Sequence, residues 1–148
     1  MQKEYVFKEK SDLGHYSADA FTVRCVDDRF WKSFKHFIAS LGYEHIDPKS
    51  PAGGAKIFAS PEFESDRDFY VREIEKSIQL HHVKRVMLFS HTHCGAYGGI
   101  ARFHNSEEKE FAFHREEHKK AKAFLKKKFP QLEIETYFID GEGIIRTQ

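Results

Sequence analysis

Two short clusters hold both cysteines of the 148-residue chain together with residues that bind metals or orient protons. The first cluster contains Cys25, Asp27 and Arg29, and the second contains His91 and Cys94. Two thiolates and an imidazole form a ligand set that suits zinc, which prefers tetrahedral nitrogen and sulfur coordination. Three protein ligands leave a fourth position open, which is the pattern of catalytic zinc sites. We therefore predict one zinc ion per chain on Cys25, His91 and Cys94.

The residues around these ligands leave two assignments to be made. His93 competes with His91 for the imidazole role, but the His-x-x-Cys spacing is common in zinc loops, whereas a residue adjacent to Cys94 usually points elsewhere. Asp27 either completes the zinc shell or hydrogen-bonds the water on the metal, and Arg29 would hold that carboxylate ionised and oriented. We favour His91 as the ligand and leave both roles of Asp27 open.

Less specific interpretations of the two clusters compete with a metal site. A free cysteine at the end of a strand is commonly a small core residue, and an Asp-x-Arg pair is often a surface ion pair. A disulfide between Cys25 and Cys94 would need an oxidising compartment. The N-terminus lacks the apolar stretch of a secretory signal, which favours a cytoplasmic protein. The occurrence of both clusters at predicted strand ends favours metal binding.

Hydrophobic periodicity is what places the clusters at strand ends. Period-two alternation and continuous apolar runs predict strands, and apolar residues three or four apart predict helices. The predicted strands cover 20–26, 85–90 and 132–139, with an extended segment at 55–59 and a short apolar end at 144–145, and the predicted helices cover 29–41, 66–80 and 107–129. This alternation predicts an α/β fold with a central, mostly parallel sheet flanked by helices. In such sheets ligands bind at the carboxyl ends of the strands, where Cys25 and His91 fall.

Length and composition bound the class of protein. A chain of this length with 40% hydrophobic residues fits a single domain at 20–148, preceded by an N-terminal arm at 1–19. The net charge of +1 provides no basic field for nucleic acid. No apolar run approaches the roughly 18 to 20 residues that a membrane-spanning helix needs. We expect no nucleic-acid or membrane partner, and we expect histidines outside the clusters, such as His118, to be exposed and without chemistry.

The two clusters together resemble the signature of a known family. Cys25-x-Asp27-x-Arg29 followed by His91-x-x-Cys94 is similar to the paired motifs of the β-class carbonic anhydrases. The wide separation of the two motifs fits that family, and the sequence at 52–54, Ala-Gly-Gly, resembles its glycine-containing loop. The resemblance covers roughly residues 20 to 146.

This resemblance implies a zinc-dependent lyase with a β-carbonic-anhydrase-like fold. Zinc would bind Cys25, His91 and Cys94, with Asp27 and Arg29 as the catalytic dyad. Zinc-bound hydroxide would hydrate carbon dioxide reversibly to bicarbonate. The family also has a form in which the Asp ligates zinc and closes the site. A homodimer or a higher homo-oligomer is implied as well, whereas the substrate-binding residues stay unknown.

Three features depart from the family pattern. His93 stands where the family usually has an Asp, and it is either a proton shuttle or an exposed loop residue. Ser50 and Pro51 replace the usual Arg-Asn before the glycine loop. The segment of 24 residues before Cys25 is short for the helical arm that usually embraces a partner subunit.

Two other functions fit the same residues. Hydrolysis of carbonyl sulfide or carbon disulfide would use the same zinc site, because these molecules are small and linear like carbon dioxide. A non-catalytic structural zinc domain would instead be closed by Asp27 as the fourth ligand. The occupant of the fourth coordination position separates the catalytic from the structural alternative.

Overall fold

A five-stranded sheet of order β2-β1-β3-β4-β5 forms the centre of the computed structural model, which describes residues 1–147. Neighbouring strands run parallel except for β4 and β5, which are antiparallel. The strands are β1 (Ala20–Val23), β2 (Ile46–Lys49), β3 (Arg85–His91), β4 (Glu133–Ile139) and β5 (Ile144–Arg146). The predicted α/β fold with a mostly parallel sheet is therefore confirmed.

Four α-helices within residues 1–147 flank this sheet. They are α1 (Trp31–Ser40), α2 (Lys56–Ala59), α3 (Glu64–His81) and α4 (Glu107–Lys128), and short 3-10 turns cover Asp28–Phe30, Gly95–Tyr97 and Ile100–Phe103. The three long helices were predicted to within about two residues at each end. None of the helices within residues 1–147 combines the length and apolarity needed to cross a membrane.

The central strand β3 is covered on both faces, which explains its continuous apolar sequence. Val86 and Leu88 join the core cluster that includes residues of α2, α3 and α4. Met87 and Phe89 face the opposite cluster, which includes Phe34 of α1. The rings of Phe34 and Phe89 pack edge to face, with their centroids 5.1 Å apart. Burying a side chain of this size stabilises the fold by about 1.5–3 kcal/mol, so the position of α1 on β3 is well determined.

Two segments between β1 and α3 differ from the prediction. The segment at 55–59 was expected to be extended, but Lys56–Ala59 forms the helix α2, so that expectation was wrong. Its buried side chains, Ile57 and Phe58, pack into the core cluster shared with α4, and a four-residue segment is too short to reveal a helical period. The first strand ends at Val23, earlier than the predicted residue 26, so Cys25 lies in the loop that follows it.

The edge strand β2 was not predicted, because its sequence Ile-Asp-Pro-Lys reads as a turn. It pairs in parallel with β1, and Thr22 lies opposite Pro48. The carbonyl groups of His45 and Lys49 accept hydrogen bonds from Asp19 and Arg24 on the β1 side. Since successive residues of a strand turn their backbone groups to opposite sides, the nitrogen of Pro48 faces the open edge.

The buried face of α4 carries more polar groups than the sequence predicted. Its buried residues are Glu110, His114, Glu117, His118, Ala121 and Leu125. The expectation that His118 is exposed was wrong, because its side chain is fully buried. The ring of His118 hydrogen-bonds Ser90 Oγ at 2.9 Å and Thr147 Oγ1 at 2.7 Å. These contacts join α4 to β3 and to the segment after β5.

The N-terminal residues 1–17 contain neither helix nor strand. Tyr16 contacts the body of the protein, where its hydroxyl donates to Asp47 Oδ1 at 2.7 Å. Ala18 is buried and donates its N–H to the carbonyl of His81. At the other end, Gln148, the last residue of the predicted domain, lies outside the described residues.

Candidate metal centre

The pairing of β1 with β3 brings the two sequence clusters together. These strands are parallel neighbours, with Val23 opposite Leu88, so the loops that follow them emerge at the same edge of the sheet. One ligand atom each from Cys25, His91 and Cys94 lies within 4.8 Å of the other two. The three residues are 9%, 2% and 1% exposed. Buried thiols and an imidazole at this spacing have the chemistry of a zinc site.

The hydrogen bonding of His91 tests whether a metal fits this group. Its Nδ1 donates to the carbonyl of Thr92 at 2.6 Å, which leaves Nε2 with a free lone pair. Nε2 is buried and has no hydrogen-bond partner within residues 1–147. The ring of His91 is also stacked on the ring of Phe30, with the two ring centroids 4.6 Å apart, which fixes the plane of the imidazole. A buried nitrogen lone pair beside two sulfur atoms is satisfied by a cation, so the residues present fit zinc.

The two thiols occupy unequal environments. The pKa of Cys25 is well below its ordinary value, although burial opposes this shift. The groups that lower it are the Cys94 thiol, the His91 ring and the Gly53 N–H, which donates to Cys25 Sγ at 3.3 Å. The neighbouring Cys25 sulfur and burial raise the pKa of Cys94. Burial works against protonation of His91, but the Cys25 sulfur and the Thr92 carbonyl raise its pKa. One thiolate therefore forms readily, and a bound cation would displace the remaining proton.

The loop at 52–54 packs directly under Cys25, which explains its glycines. Gly54 has a φ of +59°, and a Cβ at this position would lie 2.0 Å from the carbonyl oxygen of Phe89 and 3.0 Å from the backbone nitrogen of Cys25. The adjacent Ala55 N–H donates to the same Phe89 carbonyl at 3.0 Å. Only glycine combines this conformation with this close approach. The loop thereby holds the Gly53 N–H against the ligand sulfur.

Asp27 and Arg29 form a paired group beside the three candidate ligands. Arg29 donates from Nε to Asp27 Oδ1 at 3.0 Å and from Nη2 to Oδ2 at 2.7 Å, and its backbone N–H donates to Oδ1 at 2.9 Å. These bonds lower the pKa of Asp27 to about 2. Asp27 Oδ2 lies 3.7 Å from His91 Nε2. An ionised carboxylate is thus held in a fixed orientation at the edge of the ligand group.

Arg24 supports the first ligand loop and was not singled out by the sequence. Its Nη1 donates to the carbonyl groups of Cys25 at 2.9 Å and Asp27 at 3.3 Å. Its guanidinium group lies 4.4 Å from the ring centroid of Trp31. The loop between the ligand and the carboxylate is therefore tied to the start of α1. An Arg in a strand has no distinguishing pattern, so no sequence signal identified it.

The second ligand loop is tied to α4 by Glu110. This side chain is 1% exposed, and it accepts hydrogen bonds from Thr92 Oγ1 and from the backbone N–H of His93 at 2.9 Å. His93 itself is exposed and has a φ of +56°, and it is not part of the group of three ligands. Glu110 was missed by the sequence analysis, although its position four residues before His114 places it on the buried stripe of α4.

Comparisons with known proteins extend over most of the chain. Residues 17–147 match the family model described as "Putative carbonic anhydrase". An uncharacterized protein from Rickettsia conorii is 28% identical over 135 residues, which are 86% of this chain and 70% of the relative.

Two solved structures show the same fold at low sequence identity. A carbonic anhydrase from Streptococcus mutans has a TM-score of 0.63 and 17% identity, covering 95% of this chain and 88% of that one. A structure from a study of two tetrameric β-carbonic anhydrases of Sordaria macrospora has a TM-score of 0.60 and 18% identity, covering 88% of this chain and 81% of that one.

Proposed function

This chain belongs to the family described as putative carbonic anhydrases and has the fold of β-class members, and from this we propose that it is a zinc-dependent lyase that hydrates carbon dioxide reversibly to bicarbonate. The observation that carries the proposal is the unpartnered Nε2 of His91 beside two thiols, with a fixed carboxylate 3.7 Å away. Cys25, His91 and Cys94 would hold the metal. When bound there, zinc supplies a Lewis acid that makes a coordinated water acidic enough to act as a nucleophile near neutral pH.

The role that we propose for Asp27 is to orient water rather than to store a proton. Its pKa of about 2 keeps it ionised at neutral pH, so it accepts hydrogen bonds and does not retain protons. Arg29 holds both oxygens of the carboxylate, which fixes the direction in which the remaining lone pairs point. A hydroxyl group that enters the pocket beside Asp27 would be turned so that its own lone pair faces the substrate carbon. The product proton would leave through water.

The binding of Asp27 to Arg29 also supports a catalytic rather than a structural metal site. A structural site would need Asp27 as a fourth ligand, and its oxygens would have to exchange Arg29 for the metal. In the present arrangement the two oxygens receive three hydrogen bonds of 3.0 Å or less from Arg29. These bonds favour Asp27 as a member of a dyad, with the fourth position left for water.

Metal analysis combined with stopped-flow hydration of carbon dioxide tests the proposal. We expect about one zinc per chain in the wild type, loss of zinc and activity in Cys94→Ser, and retained zinc with a hydration rate at least about tenfold lower in Asp27→Asn. The matched control is Asp28→Asn, which changes an exposed neighbouring carboxylate and should keep both properties. Zinc at one per chain without carbon dioxide hydration would refute the proposed activity.

The same experiment includes the two alternative functions. Carbonyl sulfide and carbon disulfide are assayed in parallel, and hydrolysis of either without carbon dioxide hydration would assign the site to that substrate. Full zinc with no activity toward any of the three gases would identify a structural domain. Asp27 bound to zinc at pH 9, detected through a shift of cobalt absorption on Asp27→Asn, would support the same conclusion.

We further propose a reducing, cytoplasmic location and a homo-oligomeric assembly. Cys25 and Cys94 are both free thiols, and metal binding requires them to stay reduced.

The Sordaria macrospora relatives are tetrameric, and residues 1–19 are proposed as an arm that contacts a partner copy. Four large apolar side chains in this segment, Met1, Val6, Phe7 and Leu13, are at least 75% exposed. Light scattering of the purified protein tests the homo-oligomeric assembly, and a monomeric mass at assay concentration would contradict it.

A further inference from the structure

The peptide group between Thr92 and His93 connects a buried carboxylate to the candidate metal ligand. Its carbonyl oxygen, on the Thr92 side, accepts the Nδ1–H of His91 at 2.6 Å. Its N–H, on the His93 side, donates to Glu110 Oε2 at 2.9 Å. The carbonyl and the N–H belong to one planar, resonance-stabilised amide. A hydrogen bond at one end of the amide therefore polarises the other end.

We propose that Glu110 is a positioning residue that strengthens His91 as a metal ligand through this peptide. A metal-binding histidine commonly donates its other ring N–H to a carboxylate or a carbonyl group, which fixes the tautomer and makes the ligand nitrogen a better donor. Here a carbonyl and a carboxylate act in series. The negative charge of Glu110 polarises the His93 N–H, and the Thr92 carbonyl oxygen of the same peptide therefore becomes a stronger hydrogen-bond acceptor. Because that oxygen accepts the Nδ1–H of His91, the Nε2 of the ring gains electron density. The inference rests on the proposed zinc site.

The burial of Glu110 is difficult to explain by packing alone. The other acidic residues in the first turn of α4, Glu107 and Glu108, are exposed, whereas Glu110 is 1% exposed. Burying a carboxylate is costly unless its hydrogen bonds are made, and an apolar residue would fill the same space without that cost. Both oxygens of Glu110 are used on the ligand loop, one by Thr92 Oγ1 and one by the His93 N–H. The carboxylate is therefore directed at the loop that carries the ligands.

The backbone conformation of the loop fits this role. His93 has a φ of +56°, in the left-handed region, which costs a non-glycine residue about 1–2 kcal/mol. The peptide in this conformation directs its carbonyl toward His91 and its N–H toward α4. On the following peptide, Arg29 Nη2 donates to the carbonyl of His93 at 3.1 Å. Arg29 of the first cluster and Glu110 of α4 thus both hold His93, and Glu110 holds Thr92 as well.

Zinc affinity measured by competition with a chromophoric chelator tests the proposal. Glu110→Gln keeps the size of the side chain but removes its charge, and we expect its zinc dissociation constant to rise about tenfold or more. Glu108→Gln, an exposed change on the same helix turn, should stay within about twofold of the wild type. Thr92→Val removes the hydroxyl contact but keeps the peptide and the carboxylate, so it should raise the dissociation constant by less than about threefold.

These variants separate tuning of the ligand from a purely structural clamp. If Glu110 only clamps the loop, Thr92→Val and Glu110→Gln should each lose zinc affinity in proportion to the drop in melting temperature of their metal-free forms. Equal losses of affinity in these two variants, or wild-type affinity in Glu110→Gln, would overturn the proposal. If Glu110→Gln does not fold, Glu110→Asp retains the charge but moves it away from the His93 N–H, and the same loss is expected.

The outcome is independent of which gas the enzyme hydrates. A wild-type protein that binds zinc but does not hydrate carbon dioxide would refute the proposed activity and leave the effect of Glu110→Gln on affinity to be measured. A wild-type protein that binds no zinc would overturn both proposals. Normal hydration together with unchanged zinc affinity in Glu110→Gln would refute the inference alone.

Discussion

Replacement of Gly54 by alanine tests the packing that supports Cys25, a proposed zinc ligand. The new Cβ would lie 2.0 Å from the carbonyl oxygen of Phe89, whereas ordinary contacts exceed 3 Å, so the loop must move by about 1 Å or more. This movement breaks the hydrogen bond from the Ala55 N–H to that buried carbonyl, at a cost of about 1–3 kcal/mol. The left-handed φ of +59° adds about 1–2 kcal/mol. We expect a total loss of about 2–5 kcal/mol in unfolding free energy.

Gly42 provides a matched control for the conformational part of this cost. It also has a positive φ, +76°, but nothing lies within 4 Å of a Cβ at that position. Gly42→Ala should therefore lose only the strain of about 1–2 kcal/mol. Both variants shift the unfolded ensemble in the same way, so their difference reports the contact with Phe89. Urea denaturation of the metal-free proteins measures both values.

The comparison also has a functional arm. Moving the loop takes the Gly53 N–H away from Cys25 Sγ, so Gly54→Ala should bind zinc more weakly than Gly42→Ala. The reasoning is refuted if Gly54→Ala is no less stable than Gly42→Ala. A stability loss without a change in zinc affinity would show that the Gly53 N–H contributes nothing to the ligand sulfur.

Three further predictions concern acid, metal removal and helix capping. Burial lowers the pKa of His118 to about 4 from an unfolded value near 6.5. As the pH falls from 6.5 toward 4, the unfolded state binds a proton at this residue that the folded state does not, so the unfolding free energy decreases. Between pH 7 and pH 5 the loss is about 2 kcal/mol for this group, and urea titrations should show that His118→Gln loses about that much less than the wild type; an equal loss in both proteins would contradict the assignment. Removal of zinc by a chelator should lower the melting temperature of the wild type and leave that of Cys94→Ser unchanged, because a bound metal stabilises only the state that binds it. Calorimetry measures both melting temperatures, and the same shift in both proteins would exclude the site. Ser106 Oγ accepts the N–H of Lys109 at the start of α4, so Ser106→Ala should cost about 1 kcal/mol in unfolding free energy, whereas Ser40→Ala at the exposed end of α1 should cost less.

Much of the fold follows from local sequence patterns. The uninterrupted apolar run at 85–90 predicted a strand covered on both faces, and β3 has that environment. Helical periods predicted α1, α3 and α4 because each helix has one apolar stripe long enough to repeat several times. The position of the proposed ligands at strand ends followed from these elements. Their approach within 4.8 Å depended on β1 and β3 being neighbours, which no local pattern reveals.

The missed features share a physical cause, because each depends on contacts that form only in the folded protein. The strand β2 contains Asp47 and Pro48, which disfavour strands locally, and it forms because β1 supplies backbone partners. The helix α2 has only four residues and is held by burial of Ile57 and Phe58. Glu110 resembles an ordinary acidic residue near a helix N-terminus, where the helix dipole favours negative charge. Only the folded loop shows that it binds Thr92 and His93.

The proline in the edge strand β2 bears on how copies of the protein can associate. An open sheet edge offers a row of N–H and carbonyl groups to which another strand can add. At the outward-facing position of Pro48 the N–H is missing, so a strand from a second copy would find a gap in the middle of a four-residue edge. The opposite edge, β5, has three residues. Both sheet edges are therefore poor templates for the strand addition that leads to aggregation.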